Sequence, residues 1–260
     1  MPENTPENTL SNNNARQSGR LFVVGIGPGG RLDRTIRAEA AILASDVIVG
    51  YQRYLDLIAD LCPGKELISS GMTKEIERCR AAVDQARAGK TVSLVSSGDA
   101  GIYGMAGLAL ELLAGETPRI PVEIVPGVTS AAAAAARFGA PLMLDFACIS
   151  LSDLLVPWEV IRSRLEAVAA ADLVTAIYNP KSKKRSAQLE EAADIFRDHR
   201  PGSTPVGLGN AVGTADEQII ITDLDSFLNH DINMRSVIII GNNTSKIIDG
   251  FFVTPRGYQV

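Results

Sequence analysis

Histidine, cysteine and tryptophan are scarce in this chain of 260 residues: two, three and one respectively. The cysteines, Cys62, Cys79 and Cys148, are odd in number and far apart, which argues against a disulfide framework or a zinc knuckle and makes reduced thiols the expectation. The two histidines, His199 and His230, sit in polar surroundings with no metal-ligand spacing, so no metal is expected and a Ser-His-Asp hydrolase is not suggested. Positive charge is not in excess either. With 25 Lys and Arg against 30 Asp and Glu, the formal net charge is -5. General attraction to nucleic acid or to an anionic membrane is therefore missing, and any anionic ligand has to be met by a local cluster of bases. No apolar run reaches the roughly 18 residues of a membrane span, and residues 1–20 lack the apolar core of a secretory signal. A cytoplasmic protein with neither membrane nor nucleic-acid partners is expected.

What is present is an orderly alternation. Residues 1–20 repeat Pro-Glu-Asn-Thr and are rich in Asn, and read as a disordered lead-in. Beyond them, short apolar runs at 21–25, 46–49, 66–68, 91–96 and 122–125 predict strands, separated by helices near 32–44, 51–59, 73–88 and 101–113. Gly89 would follow the third helix as its C′ residue. Strand-helix alternation with short turns implies right-handed crossovers and a largely parallel sheet, giving an α/β domain over 21–125. A second α/β domain, 126–260, opens with PGVTSAAAAAARFG. Its alanine run favours a slim helix, capped by Thr129 or Ser130 and ended by Gly139. Strands at 146–151, 172–178, 205–208, 218–222 and 236–240 follow, with helices near 158–169, 186–197 and 223–229. The strands flanking GNAVGTADE are joined too tightly for a helical crossover, so this half should hold a mixed sheet.

The most informative stretch is TVSLVSSGDAGIYGMAGLA, residues 91–109. A strand feeding a tight glycine turn and then a helix aims backbone N–H groups into a crevice at the carboxyl end of a sheet, where open α/β folds bind ligands. The Asp99 carboxylate would either cap the next helix or face that ligand. A second loop, GIGPGG at 25–30, matches G-x-G-x-x-G between a strand and a helix. Two details oppose a dinucleotide site there. Pro28 removes a backbone donor, and the acid about 20 residues on, Asp46, precedes the second strand instead of following it.

Together, GIGPGG, SSGDAGIYG, VPGVTSAAAA and IYNP, in this order after residue 20, resemble the tetrapyrrole (precorrin) methylase family. The variant GDAGIYGMAG in place of Gly-Asp-Pro, followed by YNPKSKKR and GNAVG, is similar to the branch that methylates precorrin-3B at C-17 with corrin ring contraction in cobalamin biosynthesis. The segment VGYQRYLDLI fits the same branch. The alternatives are methylation at another precorrin position or a dinucleotide-binding module without transferase activity. The resemblance implies two α/β domains with a cleft between them, S-adenosyl-L-methionine as cofactor, a polycarboxylate tetrapyrrole as substrate, and a homodimer. It also implies that the cofactor is held by Pro28, Ser97, Gly98, Asp99, Ile102, Tyr103, Thr129, Ser130, Tyr178, Asn179 and Ala211. Gly27, Pro28 and Gly29 would line the transfer zone. The basic run Lys181, Lys183, Lys184 and Arg185 would meet the substrate's carboxylates, unless it is a solvated loop. Methyl transfer from a sulfonium needs positioning and exclusion of water more than acid-base chemistry, and no catalytic residue is assigned. Asp99, Tyr103 and Tyr178 stand in positions from which a proton could be handled.

Overall fold

The computed structural model of the protein describes residues 19–259 apart from 72, 116, 118, 183 and 184. Nearly all of the lead-in and the pair Lys183 and Lys184 thus lie outside the described residues. The chain begins with β1 (Arg20–Gly25), α1 (Ile36–Leu43), β2 (Val47–Tyr51), α2 (Gln52–Leu57), β3 (Glu66–Ser70), α3 (Glu75–Arg87), β4 (Thr91–Ser96), α4 (Ala106–Leu113) and β5 (Val122–Val125). The five strands form one wholly parallel sheet in the order β3-β2-β4-β1-β5. Both faces are covered, which is why β1 reads as an unbroken apolar run. Leu21 and Val23 point into a core shared with α3 and α4, while Phe22 and Val24 point into one shared with α1 and α2.

The second half comprises α5 (Ser130–Phe138), β6 (Gly139–Ala140), β7 (Phe146–Ser150), α6 (Trp158–Ala170), β8 (Val174–Tyr178), α7 (Ala187–Arg197), β9 (Pro205–Asn210), β10 (Gln218–Asp223), β11 (Ser236–Ile240), β12 (Lys246–Ile248) and β13 (Phe251–Val253). Its main sheet, β10-β9-β11-β8-β7, pairs β7 with β8 in parallel and is otherwise antiparallel. The fold is thus α/β with a parallel first sheet and a mixed second one, as expected. Helices α6 and α7 cover one face of the second sheet and α5 the other. The alanine run explains how closely α5 lies. A Cβ added to Gly209 of β9 would sit 3.3 Å from the Ala134 methyl, and one added to Gly207 would enter the Phe138 ring.

Several boundaries differ from the sequence reading. Helix α4 starts at Ala106, five residues after the expected start, because residues 101–105 form turns in which Tyr103 adopts a left-handed φ of 53°. Asp99 therefore caps no helix. The expected helix at 223–229 is only a 3-10 turn, Phe227–Asn229, and the helix at 32–44 is a 3-10 turn at Arg31–Asp33 followed by α1, which Thr35 caps through Ala38 N–H. The small sheet β12-β13-β6 was not expected. Its parallel pair joins Gly139 to Phe252, a partnership too distant along the chain for local patterning to reveal.

Candidate functional site

At the carboxyl end of the parallel sheet, three loops meet through their main chains. Gly27 and Gly98 form an isolated antiparallel bridge, Gly98 N–H donating to Gly27 O at 2.7 Å and Gly27 N–H to Gly98 O at 3.1 Å. The loop after β5 closes on both. A Cβ on Gly127 would lie 2.1 Å from the Gly98 carbonyl oxygen, so only glycine permits that approach. Asp99 completes the junction, its carboxylate accepting from Gly101 N–H at 2.7 Å and from Gly127 N–H at 3.0 Å. Because Gly27 N–H is spent on Gly98, Pro28 has none, and α1 starts only at Ile36, residues 25–30 do not run straight into a helix N-terminus as a diphosphate cradle does.

From the other sheet, Tyr178 at the end of β8 reaches the same region. Its hydroxyl accepts from Ala131 N–H at 3.0 Å and lies 2.5 Å from Thr129 Oγ1, so it caps α5 in place of the Thr129 side chain, which makes no capping bond of its own. Its ring lies 5.1 Å from that of Tyr103, whose hydroxyl crosses to donate to the Cys148 carbonyl of β7 at 3.0 Å. Burial pushes both phenols up, so both are neutral near neutrality. The Pro28–Gly30 turn lies against Gly213 and Thr214 beyond β9. Close by, Arg137 of α5 joins Asp33 and Glu217, at 3.3 Å each, and Glu217 in turn accepts Gly213 N–H.

These contacts enclose a cavity of about 290 Å³ between the two sheets. Pro28, Ser97, Gly98, Asp99, Ile102, Tyr103, Thr129, Ser130, Tyr178, Asn179 and Ala211 all line it, so every residue that the motifs associated with a cofactor faces one space. Three of these, Tyr103, Asn179 and Ala211, hold positive φ without being glycine (53°, 49° and 49°). Backbone in this region persists only where the surrounding structure holds it there.

Of the expected substrate residues that are described, only Pro28 lines the cavity. Gly27, paired with Gly98, and Gly29, packed against Gly213 and Thr214, do not line the cavity. Lys181 borders a separate hollow beside Ser186, Glu190 and His230. The buried Arg185 donates to the carbonyls of Asn179 at 2.6 Å and Pro180 at 3.4 Å, and approaches Asp153 at 3.7 Å, so it braces the turn. Sequence reasoning assigned no site role to Tyr51, Arg53, Tyr54 and Leu57 around α2, nor to Val212, Thr214 and 234–237. The first group begins with the last residue of β2 and continues into α2, and its position at a carboxyl strand end is a usable signal. Residues 234–237 carry none, since only the antiparallel β9–β11 pairing brings them in.

The sequence pattern of the tetrapyrrole (corrin/porphyrin) methylases matches residues 20–228. The chain is 45% identical over 240 residues to the probable cobalt-factor III C(17)-methyltransferase of Salmonella typhimurium, covering 92% of this chain and 100% of that one. It is 45% identical over 245 residues to the cobalt-factor III methyltransferase of Priestia megaterium, covering 93% of this chain but only 45% of that longer protein. It is 40% identical to the precorrin-3B C(17)-methyltransferase of a Sinorhizobium species, covering 93% and 98%. Among solved structures, that of the methyltransferase CobJ superposes with a TM-score of 0.86 at 34% identity, covering 92% of this chain and 100% of that one. A uroporphyrin-III C-methyltransferase from Thermus thermophilus, complexed with S-adenosylhomocysteine, shares the fold with a TM-score of 0.68 at 23% identity, covering 86% and 92%.

Proposed function

The chain belongs to the tetrapyrrole (corrin/porphyrin) methylases, and from that membership we propose that it is an S-adenosylmethionine-dependent C-methyltransferase acting at C-17 of precorrin-3B or its cobalt-bearing counterpart, with ring contraction, in cobalamin biosynthesis. The names of the similar proteins support the reaction. The observation that carries the reading is the cleft itself, a single cavity walled by loops from both sheets and containing every motif residue associated with the cofactor.

The donor set suits the cofactor. The Asp99 carboxylate keeps lone pairs for an ammonium beyond the two N–H bonds it accepts, and the Thr129 and Ser130 hydroxyls can meet a carboxylate. Ile102, Val212 and Val237 offer apolar surface for a purine and a thioether. When bound, S-adenosylmethionine supplies an electrophilic methyl group on a sulfonium. The chain's own work is orientation: the Gly27–Gly98 bridge and the Asp99 staple fix the floor, and the Tyr103 hydroxyl ties it to the opposite wall. Asp99, Tyr103 and Tyr178 are all engaged in these structural bonds, which favours positioning over proton transfer as their role. The same reading includes a homodimer working in the cytoplasm; among the described residues no helix is long and apolar enough to cross a membrane.

Two measurements test it. Calorimetry with S-adenosylhomocysteine and with NAD should give micromolar binding of the first alone; tight binding of NAD alone would overturn the reading. Incubation with labelled S-adenosylmethionine and either precorrin-3B or cobalt-factor III, followed by mass spectrometry, should show one added methyl, and fragmentation should place it at C-17.

A further inference from the structure

Two arginines line the cavity, Arg53 on α2 from the first sheet and Arg235 just before β11 from the second. They are in different electrostatic states. Arg235 lies 3.4 Å from the exposed Asp216 and 3.3 Å from the Thr214 hydroxyl. Arg53 has no ion pair and no hydrogen bond among the described residues. Arg53 is exposed, as are Arg31, Arg80, Arg119, Arg164 and Arg256, which also lack such partners among the described residues; what sets Arg53 apart is that it lines the cavity. The buried arginines are all committed: Arg34 to Asp60, Arg78 to Ser70 and Gly71, Arg185 to Asn179, and Arg200 to Leu173. Around Arg53, Tyr51 and Tyr54 meet edge to face with ring centroids 5.3 Å apart, and Leu57 extends the apolar surface. One aromatic face and one aromatic edge beside a guanidinium without an ion pair suit a largely apolar ring system with acidic side chains on its rim.

We propose that Arg53 is the specificity-determining contact for a carboxylate of the macrocycle, gripping it as the rings settle against Tyr51 and Tyr54, with Arg235 as its counterpart on the opposite wall. This rests on the methylase reading above and adds α2 to the surfaces that meet the substrate, apart from Lys181 and Arg185, which do not line the cavity. A planar guanidinium can meet a carboxylate with two parallel bonds, which a lysine cannot. The long Arg235–Asp216 contact, with Asp216 exposed, is one that an incoming acid can displace.

The test uses Arg53→Ala, Arg53→Lys and Arg235→Ala, with Arg119→Ala as a control at the opposite end of the first sheet. Initial rates against cobalt-factor III are read with its equilibrium binding, followed by visible absorption in the presence of S-adenosylhomocysteine. Arg53→Ala should raise KM and weaken binding about tenfold, while kcat and S-adenosylhomocysteine affinity stay within about twofold. Arg53→Lys should recover part of the loss, and Arg53→Ala should flatten the salt dependence of binding. Unchanged KM and binding in Arg53→Ala overturns the inference, as does a parallel loss of S-adenosylhomocysteine affinity, which would make Arg53 a support of the cofactor wall. A wild-type protein that binds neither compound removes the methylase reading itself, and the inference with it.

Discussion

The hydroxyl of Tyr178 accepts the N–H of Ala131 at 3.0 Å, so a strand of one layer caps the first turn of the alanine helix that follows the loop between the sheets. The bond couples the start of α5 to the wall of the cleft. Removing the hydroxyl leaves an orphan donor at the helix start and a Thr129 hydroxyl without its partner. Tyr178→Phe should therefore lower stability by about 1–2 kcal/mol, read as a lower urea midpoint with an unchanged slope. An unchanged midpoint would mean that water replaces the cap at no cost.

Asp99 joins two loops at once, through Gly101 N–H and Gly127 N–H. Asp99→Ala removes both acceptors, and S-adenosylhomocysteine affinity should fall by at least about tenfold, with stability down by about 1–3 kcal/mol. Calorimetry and denaturation on the same samples separate the two effects. Retained affinity with lost stability would make the residue a staple and nothing more.

Two glycines should respond in opposite directions to the same change. Gly127→Ala sets a methyl against the Gly98 carbonyl and should cost more than about 3 kcal/mol, or abolish soluble expression. Gly107, in the first turn of α4, has nothing within 4 Å of an added Cβ. Gly107→Ala should stabilise by about 0.5 kcal/mol, visible as a small rise in Tm. A matched response at both sites would contradict the packing described for the loop junction.

The buried Arg34 guanidinium grips Asp60 at 2.8 and 3.0 Å, and this hydrogen bonding holds the Asp60 carboxyl below its usual value of 3.8. A depressed carboxylate contributes stability above its unfolded value and loses that contribution as pH falls through the folded one. The stability deficit of Asp60→Asn should thus be full near neutrality, shrink once pH drops below 3.8, and close in stronger acid. Asp60 is partly exposed, so the deficit is modest. A deficit independent of pH would remove the charge from the explanation.

Much of this architecture was legible from residue order because its causes are local. The parallel sheet follows from apolar runs separated by amphipathic ones, and the close approach of α5 to β9 follows from alanines facing glycines. The misreadings have causes that act at a distance. The start of α4 was placed too early because GDAG looks like a helix opening, whereas the Asp99 carboxylate turns back to Gly127. Charge clusters are visible in one dimension and their direction is not, and of the basic run only Lys181 and Arg185 are among the described residues. Arg185 faces two carbonyls of its own turn, and among the described residues Arg53 on α2 lines the cavity without an ion pair.

The junction of Gly27, Gly98 and Gly127 is made of main chain, so its shape is indifferent to most residue changes around it, provided those three positions stay bare. The rim is the reverse, since Tyr51, Arg53, Tyr54 and Arg235 contribute side chains that can be exchanged one at a time without disturbing the floor. A body built this way separates what is held at the bottom of the cleft from what is admitted at its mouth. Redesign for a different macrocycle accordingly begins on α2 and at residue 235, and leaves the glycine loops alone.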